Sequence, residues 1–245
     1  MAADLLKPYS GELAPSEIAD GIAAAQSNAD RLIKDARILA DEGRSPSAAA
    51  LAILAIEERG KAMILNRMAI VPADKLKETW RDYRSHRAKN AAWAMPLLLA
   101  DGARTMKDFA PLVDKKADHA AMLDALKQLA FYTDCLGERH WSKPEEVIEA
   151  DLAKVLIEIA ERMMGDRPVS AKEVELWRDI VAPHYAKPEM AEAVIRCEEA
   201  LKEAGLKDIS IEGLRAFMEG RPIEVDFRRA KPEPGSEPTA ASEAE

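Results

Sequence analysis

The run Arg81-Asp82-Tyr83-Arg84-Ser85-His86-Arg87-Ala88-Lys89-Asn90 holds the most usable chemistry in this chain. An imidazole titrates near neutrality and can take or give a proton. Guanidinium and ammonium groups beside it can hold a phosphate and stabilise the charge that grows on it. Metal-independent RNA cleavage needs that combination, with the RNA's own 2′-hydroxyl as the attacking group. His86 and Lys89 lie one helical turn apart, and Arg81 precedes the histidine by five residues on what reads as the same helix. The candidate catalytic set is therefore His86 for proton transfer, with Arg81 and Lys89 on the phosphate. Neither a metal nor a cofactor is required by it. A solvated basic face around a structural histidine is the competing reading of the same run.

Other polar residues interrupt helical faces and form a candidate supporting network. Glu57-Glu58-Arg59-Gly60-Lys61 sits in an otherwise alanine- and leucine-rich helix, where Glu57 at i,i+4 and Glu58 at i,i+3 both reach Lys61. Gly60 costs roughly 1 kcal/mol in a helix interior and makes sense where a neighbouring chain approaches closely, which favours a half-buried polar network. Asn28 and Asp35, seven residues apart, share a face of the first helix and call for a lysine or histidine from another helix if buried. Tyr132 and Asp134, at the end of the fourth helix, are placed to orient the histidine or the lysine. Cys135 beside them reads as a small buried side chain.

Helices must position these groups. With 48% hydrophobic, 32% charged and only 5% aromatic residues, and with almost no alternating β-branched window, the 245-residue chain reads as a folded all-α protein. Ser16 caps a first helix that Gly43 stops; Ser45-Pro46 starts a second. A third runs from Pro72 toward Trp93, and a fourth carries Met122, Leu123, Leu126, Leu129 and Ala130 to the Leu136-Gly137 boundary. Ser142 with Glu145 opens a fifth helix, ending by Gly165, and Ser170 with Glu173 opens a shorter one that Pro183 stops. Two short helices follow, about 188–203 and 210–218. From Arg229 the proline-rich acidic end reads as a disordered tail, and residues 1–12 read as loosely attached. The charge spacing excludes a membrane span, and the amino terminus has no secretory signal, so a cytoplasmic location is expected. Two cysteines give no disulfide framework. A net charge of −9 offers nucleic acid no long-range attraction, so RNA would need a local basic cleft.

Glu57-Glu58-x-Gly-Lys61, Ser85-His86-x-x-Lys89, Tyr132-x-Asp134, and the earlier Asn28-Ala29 and Asp35-Ala36 together resemble the AbiV-type abortive infection family of bacterial phage-defence proteins. The resemblance covers roughly residues 18–165. It implies a place in the HEPN superfamily: an antiparallel helical bundle over 16–165, with residues 166–220 as an additional C-terminal helical subdomain and 229–245 as the tail. Many members of that superfamily are dimeric RNases using an Arg-x(4 to 6)-His pair, while others bind or scaffold. Arg81-x(4)-His86 fits the pattern, as does Arg178-x(5)-His184, and the first is preferred because His86 also belongs to the His-x-x-Lys pair. The resemblance thus implies an antiphage protein, expected as a homodimer, that binds or cuts RNA. The alternative is a noncatalytic module that receives a phage or host protein, its glutamates and Lys61 burying their charges against His86 and Lys89. A carboxylate-bridged metal bundle lacks its paired Glu-x-x-His elements.

Overall fold

The computed structural model describes residues 7–113, 118–163 and 167–223. The expected tail at 229–245, the stop at Gly165 and the first residues of the loosely attached segment lie outside that range. Two long helices form the spine: α1 (Pro15–Asp41) and α2 (Ser45–Met68). The helix α1 starts one residue before Ser16, its first turn closed by the Glu17 carboxylate accepting from the Ala14 N–H at 2.7 Å. Gly43, at φ +72°, ends it in the left-handed conformation that a Cβ disfavours. The spine is followed by α3 (Ala73–Arg84), α4 (His86–Lys89), a 3-10 turn at Asn90–Ala92, α5 (Met95–Ala100), α6 (Ala110–Val113) and α7 (His119–Phe131).

The expected third helix is thus two. Ser85 adopts an extended conformation (ψ 123°) and its hydroxyl accepts from the Ala88 N–H, so the serine caps a new helix instead of continuing the old one. The fourth helix is also shorter than its apolar pattern suggests. Tyr132 turns extended, and Asp134–Leu136 (β1) pairs antiparallel with His140–Ser142 (β2) in a small hairpin. Ser142 caps no helix: buried at the hairpin's end, its hydroxyl accepts from the Asp134 N–H and donates to the Asp134 carbonyl. Helices α8 (Pro144–Val147) and α9 (Ala150–Arg162) follow it. Cys135 faces Trp141 across the hairpin and is exposed, whereas Cys197 is the buried thiol, pushed up to about 12 chiefly by burial.

Ser170 caps α10 (Ala171–Leu176) as expected, accepting from the Glu173 N–H. The chain then does not break before Pro183. It relaxes into a π-helical turn, Trp177–Val181, and a 3-10 turn, Ala182–His184, before α11 (Met190–Glu203) and α12 (Ile211–Met218). No described helix is long and apolar enough to cross a membrane.

Two apolar clusters share the spine. Ala29, Leu32, Ile33 and Ala36 of α1 and Ala48 to Ile56 of α2 pack with Trp93, Leu123, Ile148 and the α9 residues Leu156, Ile157 and Ile159. Ile18, Ile22 and Ala25 of α1 and Ala62, Ile64, Leu65 and Met68 of α2 pack with Trp80, Val174, Val181, Cys197 and Leu201. Residues Glu57 to Lys61 of α2 fall between the clusters, so the spine carries a polar waist.

Candidate functional site

The waist is built around a carboxylate. Glu57 is almost wholly buried, and burial alone would hold it neutral. Three nitrogens reverse that: Lys127 Nζ at 2.6 Å from Oε1, and Lys89 Nζ at 3.0 Å and His86 Nδ1 at 2.8 Å from Oε2. Burial raises the Glu57 pKa, but the hydrogen bonds from Lys127, Lys89 and His86 together outweigh it, so the carboxyl titrates below its ordinary range and stays ionised. Lys127 also meets Asp124 at 2.9 Å. Its own burial pulls the ammonium's pKa down, the bonds to Glu57 and Asp124 push it up, and the net direction is upward. Two carboxylates thus face two ammonium groups, and the cluster is balanced when His86 is neutral.

Backbone geometry makes this convergence possible. A Cβ on Gly60 would lie 2.0 Å from the carbonyl oxygen of Lys89, so α4 rests directly on the backbone of α2 at the one position without a side chain. The close approach that the glycine suggested in sequence is therefore that of α4, and it brings His86 and Lys89 within reach of Glu57 one turn earlier. The His86 side chain is 53% exposed. With Nδ1 turned inward, Nε2 on the far side of the ring has no partner among the described residues. Asn90, next along the chain, is fully buried and neither atom of its amide has a hydrogen-bond partner.

The remaining expected residues stand elsewhere. Glu58 pairs with Lys61 on its own helix at 2.6 Å, and the Lys61 ammonium lies 5.8 Å from the centre of the Tyr83 ring. Asn28 and Asp35 both bond the exposed Arg31, so they form a surface trio instead of a buried pair. Tyr132 is exposed with its ring against Phe131, and the Asp134 carboxylate accepts from the Cys135 N–H. Neither bonds Glu57, His86 or Lys127. Arg81 is exposed, loosely paired with Glu78 at 3.4 Å, and separated from His86 by the break at Ser85. In the second candidate pair, Arg178 donates to the Leu13 carbonyl beside a hollow of about 150 Å³ that it lines together with Glu12, Ile18 and Met68, while His184 Nε2 lies 3.3 Å from an Arg196 nitrogen.

Lys127 and Asp124 escaped the sequence reading because at i,i+3 they look like surface support. The signal lay in the period: Ala120, Leu123, Lys127 and Ala130 are the buried positions of α7, and the lysine occupies one of them. Glu57, His86 and Asp124 each present a donor atom, all mutually within 4.8 Å, as a cation would require. The Lys127 ammonium already stands against all three, at 2.6, 3.2 and 2.9 Å, so an internal cation takes that place.

A predominantly helical bundle whose solvent-facing imidazole is backed by a buried, ionised glutamate defines the class. The family model described as AbiV, of the HEPN type, matches residues 17–165, and the chain belongs to that family, with the abortive-infection role it carries. No curated protein and no solved structure matches the chain.

Proposed function

We propose that this AbiV-type protein acts in abortive infection on RNA, by metal-independent cleavage with His86 as the proton-transfer group. The observation that carries the reading is the Glu57 to His86 Nδ1 contact at 2.8 Å: an ionised carboxylate on one ring nitrogen orients the imidazole and leaves Nε2 for chemistry at the surface. Nε2 takes the proton of a 2′-hydroxyl as that oxygen bonds to phosphorus. The bond from phosphorus to the 5′-oxygen breaks, and the proton passes from Nε2 to that oxygen. Arg87, exposed beside the histidine, and Arg81, held only by a 3.4 Å contact with Glu78, are available to a phosphate. Lys89 is taken up by Glu57 and serves through it. In a homodimer the two His86 faces would meet across a two-fold axis and concentrate the local basic charge.

A second reading has its own support. Lys89 and Lys127 are buried and share the Glu57 carboxylate, with Asp124 as the second counter-charge of Lys127, as a noncatalytic module receiving a phage or host protein would have them. The two are separated by incubating wild type and His86→Ala, matched in helicity and oligomeric size, with mixed RNA in EDTA. Cleavage by wild type alone supports the first reading. Equal inactivity transfers the role to the second, and cleavage lost only in His184→Ala moves the chemistry to Arg178 and His184.

A further inference from the structure

Lys127 does more than neutralise Glu57. Its ammonium has three protons and three acceptors around it: Glu57 Oε1 at 2.6 Å, Asp124 at 2.9 Å and His86 Nδ1 at 3.2 Å. Glu57 Oε2 lies 2.8 Å from the same Nδ1. One ring nitrogen cannot both donate to the carboxylate and accept from the ammonium. If Nδ1 carries the proton it donates to Glu57, and Nε2 shows a lone pair to solvent. If Nδ1 is bare it accepts from Lys127, and Nε2 shows an N–H.

Each arrangement keeps one bond to Nδ1 and sets one neighbour against it. In the first, Nδ1 donates to Glu57, whose Oε2 also accepts from Lys89 at 3.0 Å, while the Lys127 ammonium faces the ring N–H at 3.2 Å. In the second, Lys127 donates to Nδ1 and Oε2 keeps Lys89, while the bare Nδ1 faces Oε2 at 2.8 Å with no proton between them. Glu57 and Lys127 therefore pull the ring in opposite directions, and the outcome decides whether Nε2 shows a lone pair or an N–H at the surface.

We infer that Lys127 is a positioning residue which, against Glu57, sets the tautomer that His86 presents to solvent. Asp124, by competing for the same ammonium, tunes the balance. The use of that tautomer in RNA cleavage rests on the function proposed above; the balance itself does not. The cycle starts from the form with a lone pair at Nε2, and the proton taken there is the one later given to the 5′-oxygen, so whatever sets the tautomer sets the fraction of sites ready to react.

The nitrogen-15 resonances of the His86 ring, assigned by their loss in His86→Gln, read the tautomer directly at neutral pH. Wild type should give values averaged between the protonated and bare positions. Lys127→Met should move the ring to the Nδ1-protonated form. Asp124→Asn, which frees the ammonium, should move it the opposite way. The Asp124 side chain is 36% exposed, so this second variant keeps the test alive should the first fail to fold. Unchanged resonances in Asp124→Asn, or both variants moving in the same direction, overturn the inference.

With RNA as substrate, Asp124→Asn, which favours the form without a lone pair at Nε2, should lower kcat on the order of 10-fold while KM stays within about twofold. A tautomer shift with unchanged kcat overturns its catalytic use. Shifts in a protein that cleaves no RNA keep the positioning role and remove the RNA reading; cleavage without shifts does the reverse.

Discussion

Glu57 and Glu58 are neighbours on one helix and live in different electrostatic worlds. Glu57 points inward, is 4% exposed, and holds groups from α4 and α7; Glu58 is 16% exposed and holds a lysine three residues further along its own helix. The inner carboxylate ties distant parts of the chain together, and the outer one decorates a turn. In sequence the two are interchangeable, since each has Lys61 at helical spacing. The rotation of about 100° per residue, and what lies on each side, separates them.

The largest effect should come from Glu57→Ala. It leaves Lys89 buried without a counter-charge and Lys127 with Asp124 alone, a loss of about 3–5 kcal/mol in chemical denaturation; a loss below 1 kcal/mol would mean that the cluster is not closed as described. Gly60→Ala comes next. The added methyl meets the Lys89 backbone and not a flexible chain end, so α4 must lift away. We expect about 1–3 kcal/mol and, in the wild-type-active assay, a fall in activity from a residue that touches no substrate.

Acid tests the inner carboxylate. The Glu57 pKa is lowered on folding, so its contribution is complete above the ordinary carboxyl value of about 4.3 and is lost as pH falls through the lowered one. Wild type should lose stability below about pH 4 more steeply than Glu57→Gln does. Equal slopes would remove Glu57 as the acid-sensitive group. The Lys127 pKa is raised, so its contribution is complete below about 10.4 and fades only as pH climbs through the higher value. The smallest effect belongs to Glu58→Ala, about 0.2–0.5 kcal/mol, as for other local helix pairs. A cost near that of Glu57→Ala would erase the distinction between the two faces.

Much of the bundle is legible in sequence because helical periodicity and punctuation are strong there: Gly43 stops α1, Ser170 caps its helix, and the apolar residues at helical spacing, Ile22, Ala25, Ala29 and Leu32 in α1 and Ala49, Ala52, Ile53 and Ile56 in α2, are buried. Elements were missed where a residue has two local options. Ser85 reads as one more polar residue on a helix, yet its hydroxyl starts a new one. Ser142 with Glu145 matches a capping box, yet the serine satisfies a hairpin backbone. The site was half legible. Gly60 announced a close approach, Glu57 stood out as a charge in an apolar helix, and His86 and Lys89 stood out as an imidazole and an ammonium one turn apart in a basic run. Lys127 was hidden by Asp124, a plausible surface partner, and Asn28 and Asp35, open in sequence between a buried and a solvent-facing place, are both held by Arg31, which lies between them in sequence.

The shared spine has a practical outcome for anyone cutting this protein at the edge of its family match. Ile18 and Ile22 lie inside the matched stretch, but Val174, Val181, Cys197 and Leu201, which cover that end of the helix pair, lie beyond it. A fragment stopping at 165 would bare a greasy flank and tend to clump, so a soluble minimal piece has to keep the helices through Glu203.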